Sequence, residues 1–133
     1  MNWDYITGFF DADGSITLAR VSRDTNKCPQ LSFHNNELDI LINIKDFIEK
    51  ELNIKGFISK KRKVKEHHGQ AYDLKYVNFP KCLKIINHLK SIHSKKVKRF
   101  EVISKLYPLT PRNGKYTKEM FEQRIILEQE FFQ

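Results

Sequence analysis

Two carboxylates, Asp11 and Asp13, stand two residues apart at the end of an apolar run and are followed at once by Gly14. Trp3, Ile6, Phe9 and Phe10 recur at helical spacing, so the run reads as a helix with one greasy face. Asn2 is placed to cap it, with Asp4 in the first turn and Gly14 as the left-handed residue that stops it. Both acids then sit at the negative end of the helix dipole, where each costs about 0.3–1 kcal/mol. A local rule broken without local compensation points to function. Gly8 and Ala12 are four apart and share a face, which lets another backbone come close. A Gly inside a helix costs ~1 kcal/mol against Ala and wants a packing reason. If that face packs on its own copy, several carboxylates crowd together. Such a cluster needs a divalent cation, and hard oxygen donors suit Mg²⁺. An EF-hand calcium loop is the competing reading, but from Asp11 the glycine falls fourth rather than sixth and the twelfth residue is Ser22 rather than Glu.

The elements around this stretch follow from periodicity. Ser15 to Arg23 reads as a strand, faltering at Arg20-Val21, and Asp24-Thr25-Asn26-Lys27 as a turn. Gln30 to Asn35 is a second strand, and Glu37 to Leu52 an amphipathic helix ended by Asn53. Lys55 to Val64 and Ala71 to Val77 are a third and fourth strand about a turn at His67-His68-Gly69-Gln70. A helix opens at Asn78-Phe79-Pro80 and runs through Leu89. Ser94 caps another over Lys95 to about Tyr107, which Pro108, Pro111 and Asn113-Gly114 break, and Thr117 starts a last one over Lys118 to about Phe132.

The nonapeptide Ile6-Thr7-Gly8-Phe9-Phe10-Asp11-Ala12-Asp13-Gly14 resembles the signature of the LAGLIDADG homing endonucleases. Thr7, where the family has its first Ala, is the main departure. The resemblance is specific at the motif and extends to the αββαββα element order over the whole chain. It implies an α+β fold: a four-stranded antiparallel sheet covered by helices on one face, plus C-terminal helices, in a single domain over 1–133. Periodicity alone does not assign the strands to one sheet.

The 133 residues carry 24 Lys+Arg against 16 Asp+Glu, a net charge of +8, which favours a polyanionic partner. Cys28 and Cys82 have no metal or disulfide spacing. No apolar run approaches the ~18 residues of a membrane span, and the N-terminus does not read as a secretion signal. Two hairpins with one apolar and one polar face leave an open surface offering Thr17, Ala19, Arg23, Ser32, His34, Lys61, Lys63, Asp73 and Lys75. A two-stranded ribbon fits the DNA major groove, where Arg and Lys read guanine, Asp accepts from cytosine, and Ser, Thr and His adapt. An ordinary solvated sheet face is the bland alternative, and a one-residue slip in Lys60–Lys65 would invert the assignment there.

Further roles are implied by the resemblance. Asp13, with the Gly14 carbonyl beside it, would hold the metal opposite Asp13 of a second chain. Thr7, Gly8, Asp11 and Ala12 would lie in the dimer interface. A lysine is expected near the active site where Ser94-Lys95-Lys96-Val97-Lys98-Arg99 enters its helix: Lys95, with Lys96 the alternate and otherwise a DNA contact. Glu37 stands where relatives place a polar residue that orders solvent. One motif per chain calls for a homodimer on a near-palindromic duplex. The expected function is an intron-encoded, Mg²⁺-dependent DNA endonuclease, in an organelle (chloroplast or mitochondrion) or in bacterial or phage cytoplasm. A non-cleaving LAGLIDADG nucleic-acid binder, either an intron RNA maturase or a DNA-binding regulator, is the alternative. A basic adaptor binding only proteins would leave Asp11 and Asp13 unexplained.

Overall fold

The computed structural model describes residues 1–20, 27–62, 69–109 and 117–133. Its elements are α1 (Trp3–Asp13), β1 (Gly14–Arg20), β2 (Lys27–Asn35), α2 (Leu38–Leu52), β3 (Phe57–Lys60), β4 (Tyr72–Val77), α3 (Phe79–Ile86), α4 (Ser94–Leu106), a 3₁₀ turn (Tyr107–Leu109) and α5 (Lys118–Phe131). The expected α-β-β-α-β-β-α order is present, with α4 as its continuation and α5 beyond the turn. Arg23, Lys63, the turn residues Asp24-Thr25-Asn26, His67, His68, Pro111, Asn113 and Gly114 lie outside the described residues.

The strands form one antiparallel sheet in the order β1-β2-β4-β3. Alternation sends Ile16, Leu18, Leu31, Phe33, Leu74 and Tyr76 to one face, where all six are buried against the helices. Ile6 and Phe10 of α1, Leu41, Ile44 and Ile48 of α2, and Cys82 and Ile85 of α3 close over them. Phe10 meets Phe33 edge-on with ring centroids 5.7 Å apart, which sets α1 directly on β2.

Two strand boundaries differ from the pattern-based reading. β2 begins at Lys27 rather than Gln30, so Pro29 lies inside it. The proline is tolerated because β4 pairs only from Gln30, opposite Val77, while the Pro29 carbonyl accepts from the Asn78 N–H at 3.2 Å. β3 is four residues long, and one further bond, Lys61 N–H to the Ala71 carbonyl at 2.8 Å, carries the hairpin a step beyond it.

Gly14 does not stop α1 by a left-handed turn. Its φ of −109° and ψ of 164° are extended, and it is already the first residue of β1. A glycine is required there for space. A Cβ would stand 2.2 Å from Phe10 Cδ2 and 2.7 Å from the Phe10 carbonyl oxygen. Gly8 is the opposite case, because a Cβ there meets nothing within 4 Å in this chain. Ser94 is likewise not a cap: His93 takes that position without a side-chain bond, and Ser94 is the first helical residue. The cap expected at Asn2 is present, accepting from Tyr5 N–H, and Thr117, read as the start of the last helix, caps it by accepting from Met120 N–H. Asn53 adopts the left-handed conformation with φ 54° at the end of α2.

α5 is tied back onto the sheet by two arginines. Arg124, 3 % exposed, donates to the Lys27 carbonyl at 2.5 Å and pairs with Glu128 at 3.2 Å. Arg99 of α4 donates to the carbonyls of Phe131 at 3.3 Å and Ile16 at 3.1 Å, with its guanidinium over the Phe131 ring. α4 is thereby tied to β1 and α5 to the start of β2.

Tyr76 is buried with a hydroxyl that has no hydrogen-bond partner among the described residues. Burial raises its pKa well above the usual phenol value. An unpaired buried hydroxyl costs about 1–3 kcal/mol. Tyr76→Phe is therefore expected to leave thermal stability unchanged or raise it by about 1 kcal/mol in a melting experiment. A loss of that size would show that the hydroxyl is paired.

Candidate active site

The end of α1 gathers the candidate chemistry. Asp13 is exposed and has no hydrogen-bond or ion-pair partner among the described residues. It lines an open cavity of about 260 Å³ with His34, Asn35, Asn36, Lys61 and Ala71. Asp11 is turned the other way: its carboxylate accepts from the Ser91 hydroxyl at 2.5 Å and the Ile92 N–H at 3.3 Å. The compensation missing near Asp11 in sequence is thus supplied by the connection from α3 to α4.

A cation also reaches the helix end from that side. Lys96 Nζ donates to the carbonyls of Phe10 at 2.7 Å and Asp11 at 3.0 Å and lies 4.8 Å from the centre of the Phe10 ring. α1 has no basic residue in its own last turn, so Lys96 neutralises its negative end from 85 residues away. Burial holds the Lys96 ammonium below the usual lysine value, partly offset by the charges of Asp11 and Asp13. Of the two candidate lysines, Lys96 reaches the α1 end, and Lys95 is exposed one residue earlier in α4. Glu37 is the exposed N-cap of α2, its N–H bonded to the Asn35 side chain at 2.8 Å, next to Asn36 on the cavity wall.

The open face of the sheet carries Thr17, Ala19, Ser32, His34, Lys61, Asp73 and Lys75 together, as alternation requires. It also carries Ser15, Gln30, Phe57 and Ser59, which the sequence reading left out. Continuing the Thr17 alternation back by two would have found Ser15. Ser32 and Asp73 are only 3 % and 7 % exposed, so they support neighbours more than they meet solvent. Asp73 receives the His34 ring through Nδ1 and Lys61 at 3.3 Å. Of the interface candidates, Gly8 and Ala12 are exposed, whereas Thr7 Oγ1 accepts from the Lys90 N–H at 3.3 Å and Asp11 is held as above. No helix among the described residues is long and apolar enough to cross a membrane.

The scaffold is α+β, with a helix that ends in a free aspartate over the rim of an open, polar, antiparallel sheet. A family model described as LAGLIDADG endonuclease matches residues 6–107, and the chain belongs to that family. Among solved structures, the homing endonuclease I-TnaI matches with TM-score 0.71 and 18 % identity over 100 % of this chain and 89 % of its own. I-CvuI, solved with its target in 2 mM Ca, matches with TM-score 0.71 and 18 % identity over 98 % of this chain and 79 % of its own. I-GzeII bound to its DNA target gives 0.73 and 16 % over 96 % of this chain but only 43 % of its own. At these identities the likeness carries the fold. A comparison with curated proteins found no match.

Proposed function

We propose that the chain is a site-specific double-strand DNA endonuclease, intron-encoded, acting as a homodimer with divalent metal, Mg²⁺ in the first instance. The observation that carries this reading is the free Asp13 carboxylate, held beside a polar cavity at the rim of the open sheet face. A stability role does not account for it, since an unpaired acid at a helix C-terminus is unfavourable.

The donor chemistry fits a hard cation. Asp13 offers carboxylate oxygens, yet no group of three or more His, Cys, Asp or Glu among the described residues could hold a metal within one chain. A second copy doubles the set. Gly8 and Ala12 are exposed, and open space beside Gly8 leaves room for close approach of another α1. The chain's match to under half of DNA-bound I-GzeII is consistent with one copy supplying half of such a surface. When bound, the ion supplies electrostatic stabilisation of phosphate oxygens and a more acidic water.

The chain's own residues do the rest. Lys96 holds the α1 end so that Asp13 projects over the cavity. Lys61 and Lys75 place positive charge on the face turned to the duplex, in keeping with the net +8. Glu37 and Asn36 provide polar groups that order solvent at the cavity wall.

The test is a cleavage selection on a randomised duplex library with Mg²⁺, followed by sedimentation of the complex. One family of near-palindromic cut sites, bound by two chains, is expected. Sequence-selective binding without any cut would favour the non-cleaving binder instead. Absence of duplex binding would remove the reading altogether.

A further inference from the structure

Five polar side chains form one continuous chain on the open face. Lys61 Nζ stands 3.3 Å from Asp73 Oδ1, and the same oxygen meets His34 Nδ1. His34 Nε2 lies 3.1 Å from Ser15 Oγ, which lies 3.2 Å from Ser32 Oγ. Strand register builds it, because Ser15 is opposite Ser32 and His34 opposite Asp73. Its inner members, Asp73 and Ser32, are buried, whereas Ser15 and His34 are partly exposed.

With the His34 ring neutral, proton accounting gives this chain one polarity. The Asp73 carboxylate only accepts, so His34 Nδ1 must donate to it. In the neutral imidazole Nε2 then carries a lone pair and takes the Ser15 hydroxyl proton. The Ser32 hydroxyl in turn donates to Ser15 Oγ. Ser15 is left with one outward lone pair and no outward proton.

The order Ser15–His34–Asp73 also matches that of an acyl-transfer nucleophile. That chemistry needs donors converging on an oxyanion beside the serine. Here the backbone N–H groups lie in the plane of the sheet rather than above the hydroxyl, so none converges there. A fixed acceptor on a reading surface is what remains.

We infer that Ser15 is a specificity-determining residue, oriented by Asp73 through His34, that selects an amino-bearing base, adenine or cytosine, in the major groove. The inference rests on the endonuclease reading and adds which group is read and what holds the reader. In the major groove only adenine N6 and cytosine N4 present donors to an acceptor. Ser15 is two residues from Asp13, so the base pair concerned lies close to the cut.

The test measures binding of labelled duplexes, derived from the selected site, to the parent protein, Ser15→Ala, Ser15→Thr and Asp73→Ala. The parent is expected to prefer adenine or cytosine at one position per half-site by about ten-fold, and to lose that preference when the base lacks its amino group (purine for adenine). Ser15→Ala and Asp73→Ala should flatten the preference at that position alone, and Ser15→Thr should keep it. Melting curves run beside them separate folding from reading. Unchanged preference in Ser15→Ala, with or without a lowered melting temperature, overturns the inference while the endonuclease reading stands. So does a preference for guanine or thymine there. A parent protein that binds no duplex selectively overturns both.

Discussion

Asp13→Asn is expected to abolish strand cleavage while leaving affinity for the selected duplex within about three-fold. The asparagine keeps size and shape but removes the charge that a hard cation requires. Metal stabilisation of a transition state is worth several kcal/mol, so a loss of at least about 10³-fold in single-turnover cleavage is anticipated. Binding should persist, because most of the open face, Lys75 included, lies on the strands and not at the helix tip. The folded chain should change by no more than about 1 kcal/mol either way, since relief at the negative end of α1 is set against a lost attraction to the Lys96 ammonium. Greater stability with lost cleavage would mark Asp13 as retained at a cost to the fold. Cleavage near the parent rate would remove it from the chemistry, and the reading of the whole α1 tip with it.

Gly14→Ala should be the most damaging single methyl group in the described chain. The added Cβ meets a buried ring carbon at 2.2 Å and two backbone atoms of Phe10, the oxygen at 2.7 Å and Cα at 2.8 Å. The ring cannot retreat, because Phe10 is wholly buried and packed against Phe33 and Phe100. The helix-to-strand junction must open instead, at a cost of about 3 kcal/mol or more. Denaturant unfolding would measure it. A loss below about 1 kcal/mol would mean the junction is looser than drawn. Gly8→Ala makes the contrast: within one chain it should be neutral or mildly stabilising from helix propensity. Any harm it does should appear only in dimer formation, read by sedimentation.

The two glycines show where sequence reasoning reached and where it stopped. Both are conspicuous, and the packing reason sought for Gly8 is met within this chain at Gly14 instead. The reason first assigned, a left-handed cap, was wrong, because the chain leaves α1 straight into β1 without a turn. Spacing cannot distinguish the two, since both place a glycine immediately after the last helical residue.

The alternation of Ile16, Leu18, Leu31, Phe33 and Leu74 determined by itself which way the sheet faces, and the stripe over Leu41, Ile44 and Ile48 determined where α2 lies. Period-2 and period-3.6 patterns are local, so they can be read without coordinates. The motif likewise identified Asp13 as the residue of interest. Which cation reaches the end of α1, that Asp11 is satisfied by Ser91 and Ile92, and that Asp73, His34 and Ser15 stand within hydrogen-bond distance of one another in turn were decided only in three dimensions. Each depends on partners 19 to 86 residues apart brought within hydrogen-bond distance. No pattern along the chain encodes such a meeting, because its geometry is set by how the sheet and helices pack rather than by any segment's own preference.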